Sequence, residues 1–342
     1  MGVRTPLSYL AERLAPSAKA VRVACLAALV MSVVIVVTGA AVRLTSSGLG
    51  CPTWPRCTAD TLAPTKAMGI HGVIEFGNRM LTYVLCAAVG AAIIAARCAR
   101  PWRRSLTRLG WAQFWIVMSN AVIGGITVLT GLNPYTVAVH LLSSMALIWV
   151  ALVMWERSGE GDGAPEPAVS RPLAQLSYLL VAVVGCLVAA GTVVTGAGKH
   201  SGDSSEVPRI PLDYDRVSQF HADFAFIAVG LALAMVFVLR AVKAPTAARA
   251  RARDLLVVLL AQGVVGFVQF FAGSPEILVG AHLLGSALVW IAALRIPLAL
   301  RVRPQLPDSA YAGTAPAPDT EGTPDTPDTE GSEGSSGLVA TA

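Results

Sequence analysis

Val137-Ala-Val-His140-Leu-Leu-Ser-Ser-Met-Ala-Leu147 returns 142 residues later as Val279-Gly-Ala-His282-Leu-Leu-Gly-Ser-Ala-Leu-Val289. Asn120-Ala-Val-Ile-Gly124 returns at the same offset as Gln262-Gly-Val-Val-Gly266. Two separate segments that keep one spacing mark a true internal repeat, not a shared composition. Thr38-Gly-Ala40 and Thr195-Gly-Ala197 belong to the same pattern. All these segments are apolar, so the repeat lies in a chain built for lipid. Of 342 residues, 54% are hydrophobic and 14% charged, against about 25% charged in soluble domains. Mean hydropathy is +0.62.

The apolar residues gather into eight stretches, 21–42, 71–96, 109–130, 135–155, 173–195, 217–239, 254–272 and 277–300. Each is long enough to cross a hydrocarbon core of about 30 Å as a helix. This excludes a soluble enzyme. The net charge of +5 gives no support to nucleic-acid binding, because the basic residues sit between apolar stretches, where they orient helices. The first stretch is too long for a signal-peptide core and lacks a clean cleavage site before Arg43, so it reads as a retained helix. The expected fold is an all-α membrane protein of eight transmembrane helices, arranged as two pseudo-symmetric four-helix bundles. Four is even, so both halves enter the membrane in the same orientation, related by an axis along its normal.

The expected organisation is an N-terminal segment 1–20, a first half 21–155, a linker 156–172, a second half 173–300 and a disordered tail 301–342. From Pro304 onward the chain turns to Pro, Gly, Ser, Thr and acidic residues, with seven of the 21 acids and too little apolar surface for a core. Lys and Arg number 19 in the segments on the side of the termini and 6 in the opposite loops. Both termini, the linker and the tail are therefore expected in the cytoplasm.

Four of the five histidines, His71, His140, His221 and His282, fall in the first turns of the even-numbered stretches, near the outer face. One interfacial histidine is an ordinary structural residue. Four recurring at similar depth on alternate spans point inward to a site. Two histidines from facing helices of a bundle can supply both axial ligands of a heme, with the macrocycle filling the space between helices. Copper or zinc would want several converging ligands, yet no His-x-x-His or Cys-x-x-Cys pair occurs. In Ile74-Glu-Phe-Gly-Asn-Arg-Met80, His71, Glu75 and Asn78 share one helical face. Arg79 stands four residues beyond Glu75 and can pair with it or with a heme propionate. Cys51 and Cys57 bracket Pro-Thr-Trp-Pro-Arg in an outer loop and are expected to form a disulfide. Cys25, Cys86, Cys98 and Cys186 read as apolar filler. His200, in a polar loop, reads as a surface residue.

Together these residues resemble the heme A synthase family, over residues 21–300. The resemblance rests on Thr38-Gly-Ala-Ala-Val-Arg43-Leu-Thr-Ser-Ser-Gly-Leu-Gly-Cys51-Pro-Thr-Trp-Pro-Arg-Cys57, on Ile74-Glu-Phe-Gly-Asn-Arg79 and on the histidines of spans four, six and eight. It implies an oxidoreductase of the bacterial plasma membrane that oxidises the C8 methyl of heme O, through an alcohol, to the formyl group of heme A for cytochrome oxidase. It further implies a heme b cofactor between His221 and His282, and a substrate site in the first half with His140 as ligand, Glu75 catalytic, and Asn78 and Arg79 in support. Asn78 stands where many members carry a histidine. Either His71 then serves the substrate iron from another height, or His140 holds it alone. The family setting adds heme O as substrate, an electron donor or acceptor, heme O synthase as a partner, and the bilayer.

Two other classes use the same pattern. A bis-histidine membrane cytochrome of the b type needs the histidines but gives Glu75 no special role. A transporter shares the parallel repeat, yet no pair of Gly/Pro-broken helices marks a midplane site. The charge count yields a direct test: reporter domains fused after Arg157 and Arg303 should report a cytoplasmic position, and one after Lys199 an external one. An external reporter after Arg303 would reverse the topology.

Overall fold

The computed structural model describes residues 6–304. A short helix α1 (Pro6–Arg13) precedes eight long ones: α2 (Ala18–Leu44), α3 (Gly69–Cys98), α4 (Arg104–Leu129), α5 (Pro134–Ser158), α6 (Arg171–Ala197), α7 (Tyr214–Ala241), α8 (Thr246–Phe271) and α9 (Glu276–Ala299). All eight are long and apolar enough to span a bilayer, and the chain is a multi-pass membrane protein. Most ends lie within a few residues of the apolar stretches. α8 is the exception, starting at Thr246 instead of 254. Arg249, Arg251 and Arg253 are good helix formers though not apolar, so hydropathy misses its first two turns.

α2 packs on α3 and α5, and α4 closes the ring by packing on the same two; α6 to α9 repeat the arrangement. The pairing is that of two four-helix bundles. Lipid tails are as apolar as side chains, so helices associate through close van der Waals contact between small residues. Ala28, Ala92 and Ala96 in the first half, and Ala228, Ala232, Ala248, Ala252 and Ala293 in the second, are fully buried at these seams. Larger chains fill the space between: Leu85, Leu106 and Met154 in one bundle, Leu180, Leu239, Leu255 and Ile296 in the other. Outward-facing residues such as Trp115, Phe271 and Ile277 are exposed and apolar, as a lipid-facing surface requires.

α5 and α2 meet α9 and α6 across a third apolar layer of Leu29, Val36, Met145, Ile148, Leu152, Ala287 and Leu294. The Trp290 indole donates to the Met145 carbonyl across this seam at 3.0 Å. At one end, Arg295 pairs with Glu156 at 2.6 Å, and Arg22 and Arg295 both stack on Trp155, at 5.2 and 5.3 Å from the ring centre. The buried Arg103 reaches from the start of α4 to the Arg157 carbonyl at 3.0 Å. At the opposite end, Arg43 at the foot of α2 donates to the His200 carbonyl at 2.7 Å and the Thr195 carbonyl at 2.8 Å. Beside it the Gly48 amide donates to the Gly202 carbonyl at 2.7 Å.

Two sequence expectations change here. His200 is half-buried rather than on the surface: its Nε2 donates to the Ser274 carbonyl at 2.8 Å, so it ties the loop after α6 to the turn before α9. Residues 301–304, counted with the tail, are ordered. Arg301–Val302 (β2) pairs antiparallel with Glu166–Pro167 (β1) in the linker, and the Gly161 amide donates to the Pro304 carbonyl at 2.6 Å. The expectation of disorder for the rest of the tail lies outside the described residues.

Because Trp290 fills the seam and satisfies a carbonyl there, Trp290→Ala should cost about 3 kcal/mol or more. That loss should read as a lower Tm for the purified protein in detergent, with Trp290→Phe intermediate. An unchanged Tm in Trp290→Ala would show that the halves do not rely on this contact.

Candidate functional site

Three of the four inward histidines are built alike. His140 and His282 are the seventh residues of α5 and α9, and His221 is the eighth of α7. They therefore lie about two turns inside the helices, one residue deeper than the apolar stretches place His140 and His282 and three residues deeper for His221. Asn133 and Asp213 cap α5 and α7, and Pro134 and Glu276 open α5 and α9. Each imidazole rests against a glycine of a neighbouring helix. A Cβ on Gly124 would stand 3.1 Å from Cε1 of His140, on Gly191 3.2 Å from that of His221, and on Gly266 3.1 Å from that of His282. Those distances are tighter than ordinary van der Waals contact, so only a bare backbone leaves the rings where they are.

His221 and His282 face each other, with ring centres 6.3 Å apart and planes at 67°. Two imidazoles on one metal, with bonds of about 2 Å and about 1 Å from nitrogen to ring centre, have centres about 6 Å apart. The Nδ1 of His221 donates to the Leu187 carbonyl at 3.1 Å, which fixes the tautomer and frees Nε2 for a metal. The residues of the second half therefore fit an iron with both axial positions filled.

The first half departs from this plan where α3 replaces α7. Asn78, one residue from the repeat position of His221, accepts a hydrogen bond from the Thr38 hydroxyl at 2.8 Å; like His221 it is bonded to the first helix of its own half. His71 is the third residue of α3, exposed, and hydrogen-bonded to Ser47 at 3.0 Å. It lines a cavity of about 280 Å³ with Gly50, Met68 and Asp203 at the mouth of the bundle. His71, Glu75 and Asn78 share the face turned to α2 and its following loop. His140 packs on α4, so the contacts of His71 and His140 lie on different helices.

The loop from Thr45 to Thr65 folds down over this half and carries the Cys51–Cys57 disulfide, both cysteines fully buried. Glu75, 5% exposed, accepts from the Cys51 amide at 2.5 Å and pairs with Arg79 at 2.5 Å. Arg79 also donates to the carbonyls of Cys51 at 2.9 Å, Thr53 at 3.0 Å and Arg56 at 3.2 Å. A planar fork of donors suits such a set of carbonyls, where the single point charge of lysine would not. Of the two partners open to Arg79 from sequence, the structure shows Glu75. The clamp seats Trp54 against α4: a Cβ on Gly125 would stand 2.5 Å from the indole. Neighbouring glycines of α4 thus hold the disulfide loop and His140. Neither Trp54 nor the three glycines behind the histidines were singled out from sequence as site residues, although Gly124 and Gly266 stand in the repeated segments.

The family model for the cytochrome oxidase assembly protein COX15-CtaA matches residues 22–294. Curated relatives named heme A synthase include that of Geobacillus kaustophilus, 33% identical over 113 residues, which is 32% of this chain and 34% of the relative. That of Lysinibacillus sphaericus is 32% identical over 200 residues, 55% of this chain and 61% of the relative. That of Symbiobacterium thermophilum is 29% identical over 240 residues, 65% of this chain and 74% of the relative. The chain spans about a third of the length of the Geobacillus relatives it matches. The family match covers both halves, the disulfide loop and all four inward histidines, and the chain belongs to the COX15-CtaA cytochrome oxidase assembly protein family.

Proposed function

We propose that the chain is a heme A synthase that oxidises the C8 methyl of heme O to the formyl group of heme A. The observation that carries this reading is the inequality of two halves of one fold. The second offers two facing imidazoles, a set that would close an iron and suits electron transfer; the first offers one, His140, with Asn78 on α3 bonded to Thr38, a set that would leave an iron position open. A carrier of electrons alone would have no use for that difference. Membership in a cytochrome oxidase assembly family and the names of the relatives point the same way.

In this reading His221 and His282 hold heme b, which supplies one-electron transfer when bound. His140 would hold heme O, and His71, bonded to Ser47 on another face at the mouth, would stand apart from its iron. Taking a methyl to a formyl group removes four electrons and adds one oxygen atom, so an oxidant and an electron partner must come from outside the chain. Heme O synthase supplies the substrate. What the chain adds is position and exclusion of water: Gly124 sets His140, and Trp54 caps the half. Glu75 and Arg79 hold that cap and fix a compact charge pair beside Asn78. The charge count puts both termini in the cytoplasm of a bacterial plasma membrane and the cap on its outer face.

Co-expression with a source of heme O, followed by extraction and chromatography of hemes, tests the whole reading. Heme A together with heme b is expected; heme b alone would make the chain a cytochrome, and no heme would overturn both. His221→Ala and His282→Ala should each remove the low-spin heme b spectrum at unchanged membrane level. Retention of that spectrum in both would move the cofactor to the first half.

Glu75→Gln should preserve heme b content and lower heme A yield at least tenfold, because the amide cannot hold both the Cys51 amide and the Arg79 cation. Normal heme A yield would remove Glu75 from the site. A fall in folded protein and heme b together would make the pair purely structural, since an unpaired buried cation is strongly destabilising.

A further inference from the structure

Asn120 is 9% exposed, and neither polar atom of its side chain has a hydrogen-bond partner among the described residues. A buried amide left unsatisfied costs about 1–3 kcal/mol, so its place needs an explanation. It lies one turn from Gly124 on the face of α4 that turns to α5. On the same face one turn along, Gly124 abuts His140, and two turns the other way Gln113 meets Met154 of α5 at 2.9 Å. Asn120 therefore points at α5 beside His140, on the side away from the mouth.

The repeat shows what the position does when it is structural. At the same offset stands Gln262, whose Nε2 donates to the His282 carbonyl at 2.5 Å and so braces the heme-side histidine of the second half. In the first half, among the described residues, no side chain of α4 makes that bond, and the His140 carbonyl accepts instead from the Ser144 hydroxyl of its own helix at 2.9 Å. Asn120, one methylene shorter, is relieved of the brace. Its equivalent could be apolar at no cost to the fold.

We infer that Asn120 is a specificity-determining residue whose amide binds a neutral hydroxyl on the edge of the macrocycle held by His140. The inference rests on the synthase reading above. An amide offers one acceptor and two donors, which matches a hydroxyl. A carboxylate would bring an uncompensated charge into the bilayer interior, so the propionates face the polar mouth instead. Two hydroxyls meet the description: the one on the prenylated side chain of heme O, absent from heme b, and the one formed at the oxidised methyl before the formyl group.

The full chain, purified in detergent with its heme b, is titrated with heme O and separately with heme b, as wild type and as Asn120→Leu. Leucine is near-isosteric and removes the unpaired amide, so this variant should be at least as thermally stable as wild type; a structural asparagine would lose stability instead, which would overturn the assignment. If the side-chain hydroxyl is read, Asn120→Leu loses about tenfold of the preference for heme O over heme b, the loss expected for one buried hydrogen bond. If the nascent hydroxyl is read, binding is unchanged but the ratio of alcohol to formyl product in extracted hemes rises about tenfold. Wild-type preference and wild-type product ratio together in Asn120→Leu would overturn the assignment of Asn120. A wild-type chain without preference for heme O and without heme A would overturn the synthase reading along with it.

Discussion

Everything in the bundle interiors is arranged around one contact, an imidazole pressed on the bare backbone of a glycine. His140 on Gly124, His221 on Gly191 and His282 on Gly266 each sit so close that a methyl group would have to displace the ring by a few tenths of an ångström. In lipid no hydrophobic force draws helices together, so such close approaches decide how deep a helix sits and how it is rotated. The contact also holds the polar ring upright between helices, where a flat apolar group could lie against it. A larger residue at any of the three positions would push the ring away or force the helices apart.

On that shared scaffold the halves have been given different interiors. In the second, the Leu187 carbonyl takes the His221 ring and Gln262 takes the His282 carbonyl. In the first, Asn78 accepts from Thr38, the His140 carbonyl accepts from Ser144 of its own helix, and a disulfide-bearing loop is drawn down by Glu75 and Arg79. The two halves thus support their histidines differently, and the first lies beneath a cover. A hydrogen bond between membrane helices is worth only about 1 kcal/mol, so this shift costs the fold little.

The architecture was largely legible in the sequence, since lipid makes its demands residue by residue. Hydropathy marks the spans, the repeat marks the two halves, and the compartment of Cys51 and Cys57 marks their bond. What escaped was set by geometry between distant segments. The early start of α8 is invisible to hydropathy because arginines form it. The start of α7, three residues before its apolar stretch, is set by the Asp213 cap, which lies outside that stretch. His200 looked like a surface residue because its partners, Arg43 and Ser274, are remote in sequence. The partners of Arg79 are mostly backbone carbonyls, which no side-chain pattern announces. Similarly, Asn120 looked like a repeat marker; only the three-dimensional comparison with Gln262 shows that its amide makes no such brace.

The fastening of the two halves at both membrane faces limits how anything can enter. At one face Arg295, Glu156, Trp155 and Arg22 lock α9 to α5 and α2, and the ribbon of β1 and β2 ties the linker to the end of α9. At the other, Arg43 and Gly48 are bound to the loop after α6. Two bodies bolted at top and bottom cannot rock about a central pivot as the halves of a carrier do. A route that leaves both fastenings in place runs sideways, between neighbouring helices of one half, directly from the acyl chains. A molecule with a long greasy tail would arrive there already dissolved in the right phase, and could leave its tail in the bilayer throughout its stay.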